Sequence, residues 1–396
     1  MVGRVYIAPP LALPVPVRHL AGVGALNDTG ESIIRDAATR IFADLADPQT
    51  LNAAEDAAWR EPLWSALEQS GLTRAWVSAE RGGAGASIAD GFEILRASGQ
   101  YAVPVPLAET MLAGLFLDAV GIDCPSGPLT VAPMRLGDQI TIDPEGTVTG
   151  TARAVPHLPG ARAVVVIAER QVATDPGSIA RFGAQDEGGH VVALLSAQTI
   201  NSAERSADMG GERADITFEN VFPVEAAPVP DHWVSDTPML IGAAVRAMQM
   251  TGALETVLHL ATEYAAERVA FGRPIAKFQA VQHNLARLAG EVAAALAASG
   301  SAADTLARQR EFDQAMLLEI AAAKIRVGEA AGEGAAIAHQ VHGAIGWTAE
   351  HILQRFTRRL WGWRDDFGAE SHWAVMLGDM AAAEGADALW PMLAAR

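Results

Sequence analysis

Residues 267–289 read ERVAFGRPIAKFQAVQHNLARLA. A helical pattern ends near Arg268, the chain reverses through Phe271-Gly272-Arg273-Pro274-Ile275, and Lys277 opens a second helix. Gly272 and Pro274 fix the reversal: glycine accepts the unusual backbone angles of a tight turn, and proline suits the first turn of the helix that follows. Over 276–299, Phe278, Val281, Leu285, Leu288, Val292 and Leu296 recur at three- and four-residue spacing and form one broad apolar stripe. Two long helices joined by a short turn predict a helical hairpin, the nucleus of a bundle. The stretch 304–341 predicts a further long helix, rich in alanine, with small residues on several faces as in a helix packed on more than one side. The bundle is expected to fill 236–396.

Working toward the N-terminus, the period changes. ITIDPEGTVTG (140–150) reads as strand, turn, strand with Asp143-Pro144-Glu145-Gly146 at the turn, and 162–169, 190–196 and 214–222 are short apolar or alternating runs. Residues 123–235 are therefore expected to form a small β-barrel or sandwich. Residues 29–122 read as helices again. ESIIRDAATRIFADLAD places Ile33, Ile34, Ala37, Ile41, Phe42 and Leu45 on one stripe, with Thr29 as cap and Glu31 in the first turn, and Gly71 closes the helix WREPLWSALEQSGL. Residues 80–86 read as a flexible turn. Residues 1–28 carry Arg4 and an apolar run, but Pro9, Pro10, Pro14 and Pro16 oppose the helix a secretory signal requires, so a surface extension is expected. The fold class is an α+β multidomain chain: helical domain, β domain, C-terminal four-helix bundle.

Composition narrows the function. The 396 residues include 29 Lys+Arg against 47 Asp+Glu, a net charge of -18, which excludes a general basic face for nucleic acid. Cys124 is the single cysteine, so a disulfide within the chain and a thiolate metal cluster are both excluded, and the cytoplasm is the expected compartment. Half the residues are hydrophobic, yet no uncharged run is long enough to span a membrane. Arg268, Arg273 and Lys277 nevertheless gather positive charge at one turn, suited to a pyrophosphate, and Phe271 offers a ring for stacking. An ordinary helical hairpin with a snorkelling arginine explains the same residues. In a second segment, 336–360, a helix bearing His339, Gln340 and His342 meets Gly343 and Gly346, and Thr348 is placed as the cap of the next helix. Glycine there permits close ligand approach, or merely ends a helix. Two histidines without a third ligand at suitable spacing do not make a metal site.

Together the two segments resemble the FAD-dependent acyl-CoA dehydrogenase family. The carriers are Arg268-Val-Ala-Phe271-Gly272 running to Phe278-Gln279, and Gln340-Val-His-Gly343-Ala344-Ile-Gly346. The helical–β–helical order is also that family's, so the resemblance covers about residues 29–385. It implies FAD at a subunit interface, with Arg268, Phe271 and Gln279 on its adenosine and pyrophosphate part and Gln340, Gly343 and Ala344 lining the same cofactor, Ala344 replacing the usual second glycine. It also implies an acyl-CoA substrate and an oligomer.

The resemblance fails where the chemistry would be. The family's base is a glutamate that removes the α-proton while the β-hydrogen leaves to the flavin as hydride. Its commonest position, 24 residues after the turn's first glycine (367 − 343), holds Phe367 within Asp366-Phe367-Gly368-Ala369. The alternative position, counted back from Arg268, holds Gly242. Ala154 and Pro156 stand about where a tryptophan and a threonine contact the flavin ring, and the family's threonine-glutamate-proline-glycine run is missing. The adenosine half of the site is retained and the ring half is degraded. That asymmetry resembles the base-lacking partner subunit of heteromeric members acting on bulky CoA esters such as steroid side chains. A self-sufficient dehydrogenase or flavin-dependent oxygenase with a non-standard base, and a scaffold without FAD, are the alternatives. Asp366 is the candidate substitute base. Its competing assignment is a polar surface pair, with Asp365 beside it, to Arg358, Arg359 or Arg364.

Overall fold

The computed structural model describes residues 33–171, 189–200, 202–208, 211–309 and 311–394. The 1–28 extension, the Thr29 cap and Glu31 lie outside them. Five helices come first: α1 (Ile33–Leu45), α2 (Pro48–Ala53), α3 (Arg60–Gln69), α4 (Ile88–Gln100) and α5 (Leu107–Val120). The α1 stripe buries Ala38 and Phe42, and Phe42 meets Tyr101 at 5.9 Å between ring centroids. The 80–86 turn is packed rather than loose. The N–H groups of Gly83, Ala84, Gly85 and Ala86 donate to the carbonyls of Ser78, Arg74, Val77 and Ala75.

Helix α5 is apolar nearly all round because it lies between the other helices and the sheet. The sheet has eight strands: β1 (Leu129–Ala132), β2 (Ile140–Ile142), β3 (Val148–Pro156), β4 (Ala163–Arg170), β5 (His190–Ser196), β6 (Ser202–Asp208), β7 (Gly211–Val221) and β8 (Glu225–Pro228). Their order is β6-β7-β3-β2-β4-β5-β8, with β1 parallel to β4. Alternation along β4 explains its unbroken apolar run. Ala163, Val165 and Ile167 face the helices, while Val164, Val166 and Ala168 face a second core shared with Val148, Ala152, Ile216 and Phe218 of β3 and β7. The sheet therefore folds over its own core and presents its outer face to α5.

The C-terminal block holds α6 (Thr237–Glu267), α7 (Gln279–Arg308), α8 (Gln314–His342), α9 (Leu353–Arg364), α10 (Glu370–Glu384) and α11 (Ala386–Ala394). The long pattern expected over 304–341 is two helices. Residues 304–308 finish α7, and α8 starts afresh with the Asp313 carboxylate accepting from Met316 N–H. The three long helices pack on one another, α9 lies on α6 and α8, and α10 lies on α8. The N-terminal helices dock through reciprocal glycines. A β-carbon on Gly99 would overlap the Gln249 carbonyl, and one on Gly252 would overlap the Arg96 carbonyl, so α4 and α6 cross at backbone contact. Beside this crossing Arg96 grips Glu255 with two hydrogen bonds, 2.9 and 2.6 Å. Among the described residues no helix is long and apolar enough to cross a membrane.

Candidate functional site

The turn after α6 is a minimal hairpin in which Ala270 pairs with Arg273 and Val269 with Pro274. Phe271 and Gly272 form its tip at φ 53° and 80°, both left-handed, as a two-residue turn of this twist demands. This holds the Phe271 ring 96% exposed, edge-on to Phe278 at 6.1 Å. Arg273 lies over the Phe278 ring at 4.3 Å, a cation–π contact within the turn itself. Lys277 sits in a 3-10 turn, Ile275–Lys277, so α7 begins two residues later than expected, at Gln279. Arg268 and Gln279 are exposed.

The end of α8 comes to the same end of the bundle. The His342 ring stacks on Tyr264 of α6 at 4.5 Å, and His339 stacks on Trp347 at 3.8 Å. Gln340, Gly343 and Ala344 are exposed there, and Gly343 has the left-handed φ of 65° with open space around it. All six residues the resemblance assigns to FAD are thus exposed on two turns at one end of the bundle. Thr348 does not cap a helix. Its hydroxyl donates to the Ile345 carbonyl, and α9 begins only at Leu353. Among the described residues no cluster of three His, Cys, Asp or Glu could hold a metal ion.

The two positions that would carry a base, far apart in sequence, are in contact. The Phe367 ring lies on Gly242, and a β-carbon at 242 would overlap it. Phe367 is 2% exposed and held at φ 54°, a strained conformation for a large side chain. Its N–H donates to the Met134 carbonyl at 2.8 Å, and its carbonyl accepts from Trp373 Nε1 at 3.0 Å. From below, the buried Lys324 Nζ donates to the carbonyls of Arg364 and Gly368 at 2.6 and 2.7 Å. Burial pushes the Lys324 ammonium down to about 8, against the attraction of Asp366 and Glu370. A cavity of about 160 Å³ borders Phe367. Of its carboxylates, Asp138 is bound by Arg153 at 2.6 Å and Glu169 lies on β4.

Asp366 is not a surface residue. It is fully buried, and its partners are not Arg358, Arg359 or Arg364. Arg213 of β7 donates to both carboxylate oxygens at 2.9 and 3.0 Å, Arg246 of α6 donates at 3.0 Å, and Arg135 lies 3.6 Å away. Arg246 continues the network to Gln249 and to Glu109 of α5, both at 2.5 Å. Burial alone would raise the Asp366 pKa, but Arg213 and Arg246 overcome it and hold the carboxylate down to about 2. A carboxylate held by two guanidinium groups is a weak acceptor for a substrate proton. Asp365 is exposed and lies 3.5 Å from Arg135, while Arg364 pairs with Glu370 at 2.6 Å. The network bolts the sheet, α5, α6 and the turn after α9 together.

Sequence reasoning missed Glu109, Arg213, Arg246 and Lys324. Two left a signal: Glu109 is the one charge in the apolar run 107–117, Arg246 is the one charge in MLIGAAVRAMQM, and buried charges require partners. It also missed His157, at φ 56°, beside Glu109 and Arg246.

A helical layer, a self-folded sheet and a long-helix bundle are the architecture of the acyl-CoA dehydrogenase fold. Residues 234–362 match the acyl-CoA dehydrogenase C-terminal domain. The chain is 29% identical to acyl-CoA dehydrogenase IpdE2 of Mycobacterium tuberculosis, over 83% of this chain and 90% of that protein. Its fold is similar to a chain of the ChsE4-ChsE5 complex from Mycobacterium tuberculosis, with TM-score 0.75, 22% identity and coverage of 89% and 97% of the two chains. It is also similar to the Tcur3481-Tcur3483 steroid ACAD variant, with TM-score 0.73, 25% identity and coverage of 88% and 97%. The chain is therefore similar to acyl-CoA dehydrogenases, oxidoreductases acting on CH–CH groups, over most of its length, and the family's C-terminal domain is matched in residues 234–362.

Proposed function

We propose that this chain is the partner subunit of a heteromeric acyl-CoA dehydrogenase, completing an FAD site whose base and ring pocket come from a second, family-related subunit. The observation that carries the reading is Phe367 packed on Gly242, which fills both base positions with one apolar ring. The residues fit FAD at one half only. Arg268, Phe271 and Gln279 on one turn, and Gln340, Gly343 and Ala344 on the other, are exposed together and available across an interface. At the ring half, the Ala154 N–H is committed to Asp215 at 2.7 Å and its carbonyl to Arg213 at 2.8 Å, and Pro156 is buried without a donor. Bound FAD supplies the hydride acceptor for α,β-dehydrogenation. This chain's residues bind and orient its adenosine end: Arg268 by charge, Phe271 by stacking and Gly343 by letting the cofactor approach the backbone. A bulky acyl-CoA, of the steroid side-chain type, is supported by the structural neighbour described as a steroid ACAD.

The test is flavin content. The chain alone is expected to purify without flavin and to acquire FAD on co-expression with a glutamate-bearing family member. Arg268→Ala should then lower the FAD content of the complex at least tenfold. Stoichiometric FAD and acyl-CoA turnover by the chain alone would sink the reading. Unchanged flavin content in the Arg268→Ala complex would favour the scaffold.

A further inference from the structure

On the far side of the charge network lies a cavity of about 190 Å³ with an unusual lining. Three cations border it, Arg60, Arg246 and Arg359, together with His157, and the carboxylates present are already engaged. Glu109 is bound by Arg246 at 2.5 Å, and Glu212 faces Arg60 at 3.6 Å. Arg246 is engaged on all three nitrogens, with Nε on Asp366, one terminal nitrogen on Gln249 and the other on Glu109. Arg359 is different. Among the described residues it has no carboxylate partner, and its one hydrogen bond goes to the Arg355 carbonyl at 3.1 Å. Burial, with Arg355 and Arg358 nearby, disfavours its charge, the condition of a guanidinium that gains most from an incoming anion. The His157 side chain has no hydrogen-bond partner among the described residues, and it borders the cavity from a backbone at φ 56°. The other wall is apolar: Trp363, Val103, Pro104 and Val105.

We propose that this cavity is a binding site for a small organic carboxylate, its carboxylate on Arg359 and His157 and its apolar body against Trp363 and Val105. The volume suits it, since about 150 Å³ already accommodates a benzene-sized ring. A divalent phosphate would face Glu109 and Glu212 at close range, so a monoanion with an apolar body is the better match. The site uses none of the six residues assigned to FAD and stands independently of the heteromer.

Benzoate is the probe and benzamide its uncharged counterpart, titrated calorimetrically into the full chain in its assembled form. One saturable benzoate site is expected, with benzamide at least tenfold weaker, because only the anion forms charge-assisted hydrogen bonds. Arg359→Gln is expected to weaken benzoate at least tenfold, and Arg359→Lys to restore part of it. His157→Gln serves as the second variant should Arg359→Gln fold poorly. Absence of saturable benzoate heat, benzamide binding as tightly as benzoate, or wild-type affinity in both the Arg359→Gln and the His157→Gln variants would overturn the proposal. So would competition between FAD and benzoate, which would make the cavity a flavin-ring pocket.

Discussion

Asp366→Asn separates a structural carboxylate from a chemical one. In the folded chain Asp366 accepts three hydrogen bonds, two from Arg213 and one from Arg246, and is fully buried. Asparagine keeps one acceptor oxygen but turns an NH₂ group toward two guanidinium groups, leaving buried positive charge uncompensated. Loss of one partner from a buried pair costs about 3–5 kcal/mol. The titration gives a second measure. A folded pKa of about 2 against 3.8 is nearly two units, hence about 2 kcal/mol of pH-linked stability. Because the folded pKa is depressed, this stability is complete above the unfolded value near 4 and is lost as pH falls from about 4 to about 2. Thermal unfolding followed by circular dichroism should show the variant about 6–15 °C less stable at neutral pH. Its acid limb, between about pH 4 and pH 2, should also be shallower than that of the wild type. In a folded, FAD-loaded complex the rate should fall less than tenfold, whereas loss of a general base removes about 100-fold or more. A Tm shift under about 2 °C, or a 100-fold rate loss at unchanged Tm, would refute the structural assignment.

Four further outcomes follow from the same structure. Gly242→Ala should destabilise by about 1–3 kcal/mol through overlap with Phe367, and Phe367→Leu in the same chain should return part of it, a coupling measured by a double-mutant cycle. Lys324→Met removes the two bonds holding the turn after α9 and should cost about 2–4 kcal/mol in denaturant unfolding. The Lys324 pKa is depressed to about 8 from 10.5, so the unfolded chain holds more protons between these values. Its contribution therefore makes stability rise with pH across that window, and Lys324→Met should abolish the rise. Phe271→Ala, at a 96% exposed tip, should leave Tm within about 2 °C while lowering the FAD content of the proposed heteromer.

The order of elements is legible in the sequence because it rests on local periodicity: the stripe from Phe278 to Leu296 is α7, and the alternation of 140–150 is β2 and β3 with residues 143–146 between them. The break between α7 and α8 is not, since an alanine-rich run hides a boundary that only Asp313 marks. The two turns at the end of the bundle are readable from their glycines and cations. The fate of Asp366 is not. Arg213 and Arg246 lie 153 and 120 residues away, and nothing local distinguishes an aspartate bound for the interior from one at the surface. The contact between Gly242 and Phe367 is likewise tertiary. Each position lacks a carboxylate on its own reading, and only the fold shows that one residue is small because the other is large.

That complementarity explains how a chain without the base stays folded. Removing a catalytic carboxylate from a buried turn leaves space and exposed backbone, both of which destabilise a close-packed interior. Here the space is taken by the Phe367 ring, the backbone groups by Met134, Trp373 and Lys324, and the neighbouring carboxylate by Arg213 and Arg246. The consequence is mutual dependence: a glutamate at 242 has no room while Phe367 stands, and one at 367 would enter a site whose cations already serve Asp366. Restoring a base by either single substitution is therefore expected to lower Tm without producing turnover. The informative variant is the double Gly242→Glu, Phe367→Gly, which opens the space it fills. If that chain, folded and alone, dehydrogenates an acyl-CoA with added FAD, the ring half of the site is intact and the partner-subunit reading fails. If it remains inactive, the committed Ala154 backbone and the buried Pro156 account for a ring half that no longer admits flavin.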